Sequence, residues 1–245
     1  MLLETKKLFK NFGGLQVIHD LSFSVSEEQL TSIIGPNGAG KTTLFNVITG
    51  SFPPSSGRIF FEGRDISGLK PHVISQMGLV RSFQITNVFA SLTVRENVRL
   101  ACQSRLVEKA SLLKSAVRLR RMKEKTEEIL ERIGLLRFQD TIAGEMSHGD
   151  QRHLEIAMTL ATDPKLLLLD EPTSGMSPAE TVETMDLIKE ISKSVTILLI
   201  EHDMNLVMNI SENIIVLDSG KKISEGTPEV IENDPEVRRV YLGEL

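Results

Sequence analysis

The chain has 245 residues, 40% of them hydrophobic and 25% charged. That length suits one large domain or a core with an inserted lobe, and those proportions exclude a disordered, collagen-like or disulfide-rich chain. Counting 28 Lys+Arg against 33 Asp+Glu gives a net charge of −5, which argues against a nucleic-acid partner held mainly by phosphate-backbone attraction.

Met1-Leu2-Leu3-Glu4 leads straight into a strand-like run with no basic region or apolar segment before it, so no signal peptide is predicted. Strands are predicted at Leu2–Phe9, Leu21–Val25, Leu30–Ile34 and Ile59–Phe61, punctuated by Gly13-Gly14 and by Pro53-Pro54-Ser55-Ser56-Gly57. After the third strand comes Gly35-Pro36-Asn37-Gly38-Ala39-Gly40-Lys41-Thr42, a G-x-x-x-x-G-K-[ST] phosphate loop, followed by a helical run over Thr43–Ile48. The glycines let backbone N–H groups converge on phosphate oxygens, and the helix start adds partial positive charge. Lys41 brings a full charge to the β- and γ-phosphates, and Thr42 the hydroxyl that a bridging Mg²⁺ requires.

From about Leu92 to Ala161 the pattern becomes helical, with Thr93 as a cap. Cys102, the single cysteine, lies in this block; it forms neither an internal disulfide nor a cysteine-cluster metal site and reads as an inert thiol. The basic stretch Arg118, Arg120, Arg121, Lys123 and Lys125 reads as a solvated face, or else as one turned to anionic lipid or a permease loop. Ser147 with Asp150 three residues on forms a capping box before the helical Leu154–Ala161.

Aliphatic runs at Lys165–Leu169 and Val195–Ile200 flank a helix over Ala179–Ser192, the pattern of a parallel sheet covered on both faces, and so of an α/β core. Neither run approaches the ~20 apolar residues that cross a bilayer. The first run delivers Asp170, suited to holding Mg²⁺, and Glu171, placed to orient or deprotonate an attacking water. The second is followed by Glu201 and His202, predicting His202 on the same rim as Asp170 as a γ-phosphate hydrogen-bond partner, or else as a structural histidine. A hairpin at Ile214–Leu217, Asp218-Ser219-Gly220 and Lys222–Ser224 precedes an acidic tail with Pro228 and Pro235.

Between the two halves of this site lies Met146-Ser147-His148-Gly149-Asp150-Gln151-Arg152, which resembles the Leu-Ser-Gly-Gly-Gln signature of the ATP-binding-cassette (ABC) ATPases. The order of elements resembles that family over essentially the whole chain. The resemblance implies an α/β P-loop core of RecA-like type with a mainly parallel sheet, an N-terminal antiparallel β-subdomain and an inserted helical signature subdomain. The 245 residues then form one cassette, with core and tail over 1–88 and 162–245 and the helical lobe over 89–161. It also implies that Ser147, His148, Gly149 and Asp150 face the γ-phosphate of ATP on a second, identical or paralogous subunit. Phe83-Gln84 resembles the Q-loop, whose glutamine touches Mg²⁺ and water, and Phe12 resembles the aromatic that stacks on adenine. Thr43 closes the nucleotide-binding set.

Three positions depart from the family pattern: His148 stands for a glycine, Asp150 for the glutamine, and Ser174-Gly175-Met176-Ser177 lacks the usual aspartate. Gly13-Gly14-Leu15, the segment Gly175–Thr181 and the ending from Glu225-Gly226-Thr227-Pro228 to Tyr241-Leu242-Gly243 are similar to importers of branched-chain amino acids, urea or related amides. The expectation is an ATPase peripheral to the cytoplasmic face of the membrane, using ATP and Mg²⁺ and coupled to a separate permease and, indirectly, a solute-binding protein. The alternatives are a lipopolysaccharide-export ATPase, a cassette acting on nucleic acid or ribosomes, and a module that grips ATP without hydrolysing it.

Overall fold

A computed structural model of the protein describes residues 1–82, 88–105 and 115–242. The chain separates into two compact units, one comprising residues 1–81, 165–171 and 188 onward, the other residues 82–164 and 172–187.

The first unit opens with β1 (Leu3–Phe12) and β2 (Leu15–Val25), an antiparallel pair that meets at Gly13-Gly14. Both strands are longer than the expected Leu2–Phe9 and Leu21–Val25. Register shifts at three points along the pair break the two-residue alternation by which strands are recognised. β3 (Leu30–Ile34) is buried at every position and leads through the phosphate loop into α1 (Lys41–Ile48). β4 (Ser56–Phe61) and β5 (Arg64–Asp65) complete an antiparallel sheet of order β2-β1-β4-β5. α2 (Pro71–Met77) then precedes β6 (Leu79–Arg81). At two and three residues, β5 and β6 are too short for sequence periodicity to reveal.

The second unit is helical: α3 (Val94–Arg105), α4 (Ser115–Arg132) and α5 (His148–Leu160). Thr93 and Glu96 form a reciprocal capping box at the start of α3, with Thr93 N–H to Glu96 Oε2 3.0 Å and Glu96 N–H to Thr93 Oγ1 3.2 Å. Val98, Cys102, Leu130 and Leu154 are buried in this unit. The Cys102 sulfur accepts a bond from the Thr126 hydroxyl at 3.8 Å, and burial pushes its pKa up, keeping it a thiol. Arg120 and Lys123 are exposed and face Glu124 and Glu127 one turn on, at 2.7 and 3.8 Å.

β7 (Leu166–Asp170), α6 (Pro178–Ser192), β8 (Thr196–Ile200), α7 (Met204–Ile210), β9 (Asn213–Asp218) and β10 (Lys221–Gly226) follow, then the short α8 (Pro228–Glu232) and α9 (Pro235–Leu242). The six-stranded sheet has order β10-β9-β3-β8-β7-β6, parallel except for the β9–β10 hairpin. Every residue of β7 and β8 is buried, which is why both read as unbroken aliphatic runs. Among the described residues no helix is long and apolar enough to cross a membrane.

Candidate functional site

The phosphate loop turns from the carboxyl end of β3 into α1, which begins at Lys41, two residues before the expected Thr43. Gly40 caps the helix with φ 96°, a left-handed conformation, and a Cβ there would stand 2.9 Å from the Val17 carbonyl oxygen. Gly35 tolerates no side chain either, since its Cβ would lie 2.2 Å from the Leu217 carbonyl oxygen. Gly40→Ala is therefore expected to cost about 1–3 kcal/mol, seen as a lower urea midpoint with an unchanged slope.

Residues 37–43, with Val17 and Glu171, line a cavity of about 230 Å³. The Lys41 ammonium is buried and donates to the carbonyls of Gly35 at 2.6 Å and Pro36 at 3.1 Å. Burial pushes its pKa below that of an ordinary lysine, against the opposing charges of Glu171 and Asp170. Thr42 is exposed at the cavity and Thr43 half-buried.

Asp170 ends β7 at 1% exposure and meets Arg81 at the end of β6, with Nη2 to Oδ2 at 2.5 Å. The same guanidinium donates from Nη1 to Asn46 Oδ1 on α1 at 2.6 Å. Arg81 thus ties the phosphate-loop helix to the Asp170 strand, and sequence reasoning missed it. No local signal marks a partner 89 positions away; the one available cue is a lone arginine closing an aliphatic strand.

Glu171 has φ 44°, left-handed for a non-glycine, and its N–H donates to the Ile200 carbonyl at 2.9 Å. Strained backbone of this kind is found at functional positions, and Glu171 lines the cavity. His202 lies two residues past Ile200, which pairs with Asp170, and its ring is exposed 3.6 Å from the fully buried Glu201 carboxylate. At the end of β1, Phe12 is exposed and packs edge-on against Phe52, ring centroids 5.3 Å apart. Lys10 stands 4.7 Å from the Phe12 centroid, its Nζ donating to the Pro53 carbonyl at 2.9 Å. Phe83 and Gln84, the expected Q-loop pair, lie outside the described residues, as does Gly243 of the tail.

In the second unit α5 starts at His148, six residues before the expected Leu154, because Ser147 caps it: Asp150 N–H donates to Ser147 Oγ at 3.1 Å. The Ser147 hydroxyl in turn donates to Asp150 Oδ2 at 2.7 Å. Ser147 and His148 are exposed, and Gly149 is buried. Glu180, in the first turn of α6, accepts from the Ser177 hydroxyl at 2.7 Å and the Ser177 N–H at 2.9 Å. These bonds, the Ser177 hydroxyl foremost, and nearby His148 hold its carboxyl below the usual carboxylate range.

Residues 18–174 match the ABC transporter family, and residues 221–244 match the family described as branched-chain amino acid ATP-binding cassette transporter. The chain is 44% identical over 250 aligned positions to the high-affinity branched-chain amino acid transport ATP-binding protein LivG of Salmonella typhimurium LT2, covering 99% of this chain and 98% of that one. It is 42% identical to BraF of Pseudomonas aeruginosa, a protein of the same description, with the same coverage. Among solved structures, it is similar to the ADP conformation of an ATP-binding cassette of an ABC transporter, at TM-score 0.83 and 33% identity over 99% of both chains.

Proposed function

Since this chain belongs to the ABC transporter family and is one of its ATPase subunits, we propose that it hydrolyses ATP to drive import of branched-chain amino acids through a separate permease. The observation that carries the solute class is the match of residues 221–244 to the branched-chain cassette family, together with the full-length similarity to LivG and BraF. The three departures from the signature and following loop leave Ser147 and Gly149 in place. All 245 residues form one cassette, with nucleotide core and tail over 1–88 and 162–245 and the signature lobe over 89–161. It works on the cytoplasmic face of the membrane, paired with a second cassette.

In this reading Phe12 stacks on adenine, held by its edge contact with Phe52. The N–H groups of residues 35–43 receive the phosphates, and Lys41 exchanges its two carbonyl acceptors for β- and γ-phosphate oxygens. Glu171 takes a proton from water as the water oxygen bonds to the γ-phosphorus, and the bond to the β–γ bridging oxygen breaks to release ADP and phosphate. His202 hydrogen-bonds the γ-phosphate, and Ser147 and Gly149 contact the γ-phosphate of ATP on the partner cassette, flanked by His148 and Asp150.

The donor set suits Mg²⁺: the Thr42 hydroxyl at the cavity and the Asp170 carboxylate at the end of β7 are hard oxygen ligands, and the family resemblance adds Gln84 to them. When bound, the ion neutralises charge on the β- and γ-phosphates.

Lys41→Ala is expected to weaken ATP binding at least about tenfold, measured by titration of a fluorescent ATP analogue. In cells carrying that variant as the sole copy, uptake of labelled leucine is expected to fall to background while urea uptake is unchanged. Loss of urea uptake with intact leucine uptake would overturn the solute assignment.

A further inference from the structure

The carboxylate assigned to Mg²⁺ is already bonded to a cation of the chain itself. Arg81 Nη2 donates to Asp170 Oδ2 at 2.5 Å, and the two side chains are 10% and 1% exposed. Among the described residues Glu171 lines the cavity, while Asp170, one position earlier, does not. A buried carboxylate requires a partner, and a guanidinium stays charged at any working pH, so loss of a proton never frees this one. A second cation does. The guanidinium has other contacts to keep when it lets go: Nη1 donates to Asn46 Oδ1 at 2.6 Å, and Cζ stands 5.6 Å from the Phe45 ring centroid. Both of those residues belong to α1.

We propose that Arg81 is a positioning residue that holds Asp170 off the cavity as a resident counter-charge, and that Asp170 exchanges Arg81 for Mg²⁺ when MgATP binds. The inference rests on the assignment of Asp170 as a ligand of the ion. A divalent charge outcompetes a single one for the carboxylate once phosphates supply the rest of its oxygens, which makes the exchange depend on nucleotide. Arg81 also stands three residues before Gln84, the other residue that the family resemblance gives to the ion. The strand that releases Asp170, β6, is therefore the one that leads to that glutamine.

Two substitutions at Arg81 test the exchange. Arg81→Lys keeps the charge and loses the planar fork that reaches Asp170 and Asn46 together, whereas Arg81→Gln removes the charge as well. A fluorescent, non-hydrolysable ATP analogue is titrated into each protein with Mg²⁺ and again with EDTA, alongside a thermal melt. The ratio of the two affinities is the benefit that the ion brings, and a merely structural loss weakens both affinities alike. With Arg81 as competitor the ratio rises about tenfold in Arg81→Gln, the equivalent of one hydrogen bond to a charged group, and by less in Arg81→Lys. A rise in Arg81→Lys reports the broken bond rather than the altered field, and it carries the test where Arg81→Gln does not fold. An unchanged or lower ratio overturns the inference: Arg81 then only fastens β6 to β7, or aims the carboxylate at the ion. Asp170→Asn tests the premise separately. A ratio equal to that of the unsubstituted protein means that Asp170 holds no Mg²⁺, and the inference falls with that assignment; a lowered ratio there, with unchanged ratios in the Arg81 variants, keeps the ligand and removes only the competitor.

Discussion

Glu171→Gln is expected to slow phosphate release at least about a hundredfold, the contribution of a positioned general base, while ATP remains bound. Glutamine preserves the volume and the left-handed backbone at this position but cannot take a proton from water, so binding and chemistry separate. ATP titration measures the first, and release of inorganic phosphate from the purified protein the second. Retention of ATP with loss of turnover, and accumulation of an ATP-bound dimer, is the expected pattern. Normal turnover would move the base elsewhere, and loss of ATP affinity would mean that Glu171 shapes the cavity it lines.

Arg81→Met is expected to lower stability by about 3–5 kcal/mol, because it removes the guanidinium that pairs at 2.5 Å with an Asp170 carboxylate of 1% exposure. For a chain of this size that is a fall in Tm of roughly 6–20 °C. The cause is the lost charge pairing rather than lost packing, so Asp170→Asn added to Arg81→Met should recover part of the loss. Asp170→Asn alone is expected to be less damaging than Arg81→Met, since it leaves a guanidinium that still donates to Asn46. A melt of the four proteins gives the coupling directly, and additive losses would show that the two side chains do not act on each other.

The parts of this site that could be read from sequence are those whose chemistry is contiguous. The phosphate loop is a run of eight residues between a buried strand and a helix, and its conformation is dictated locally by Gly40 and the helix start. The Ser147 cap and the β9–β10 turn are equally local. The strands β7 and β8 announce themselves because burial on both faces leaves only aliphatic residues. What stayed hidden joins residues far apart along the chain or breaks a period. Arg81 with Asp170 is such a pair, two charged residues that only the tertiary fold brings together. The first half of β2 was lost because register shifts against β1 erase the alternation there.

Sheet order also dictates when the nucleotide site can exist. β3, which carries the phosphate loop, lies between β8 and β9, neither of which is complete before residue 200. The loop itself is secured from behind by the β9–β10 turn, where Gly220 N–H donates to the Ala39 carbonyl at 3.2 Å and His19 N–H donates to the Gly220 carbonyl at 2.8 Å. The antiparallel sheet β2-β1-β4-β5 is contained within residues 3–65 and can pair as soon as that segment is made. A nascent chain that has left the ribosome only as far as α6 thus displays the whole G-x-x-x-x-G-K-T sequence with no lateral support for it. It is the last quarter of the chain, with its long-range parallel pairings, that turns a motif into a binding site.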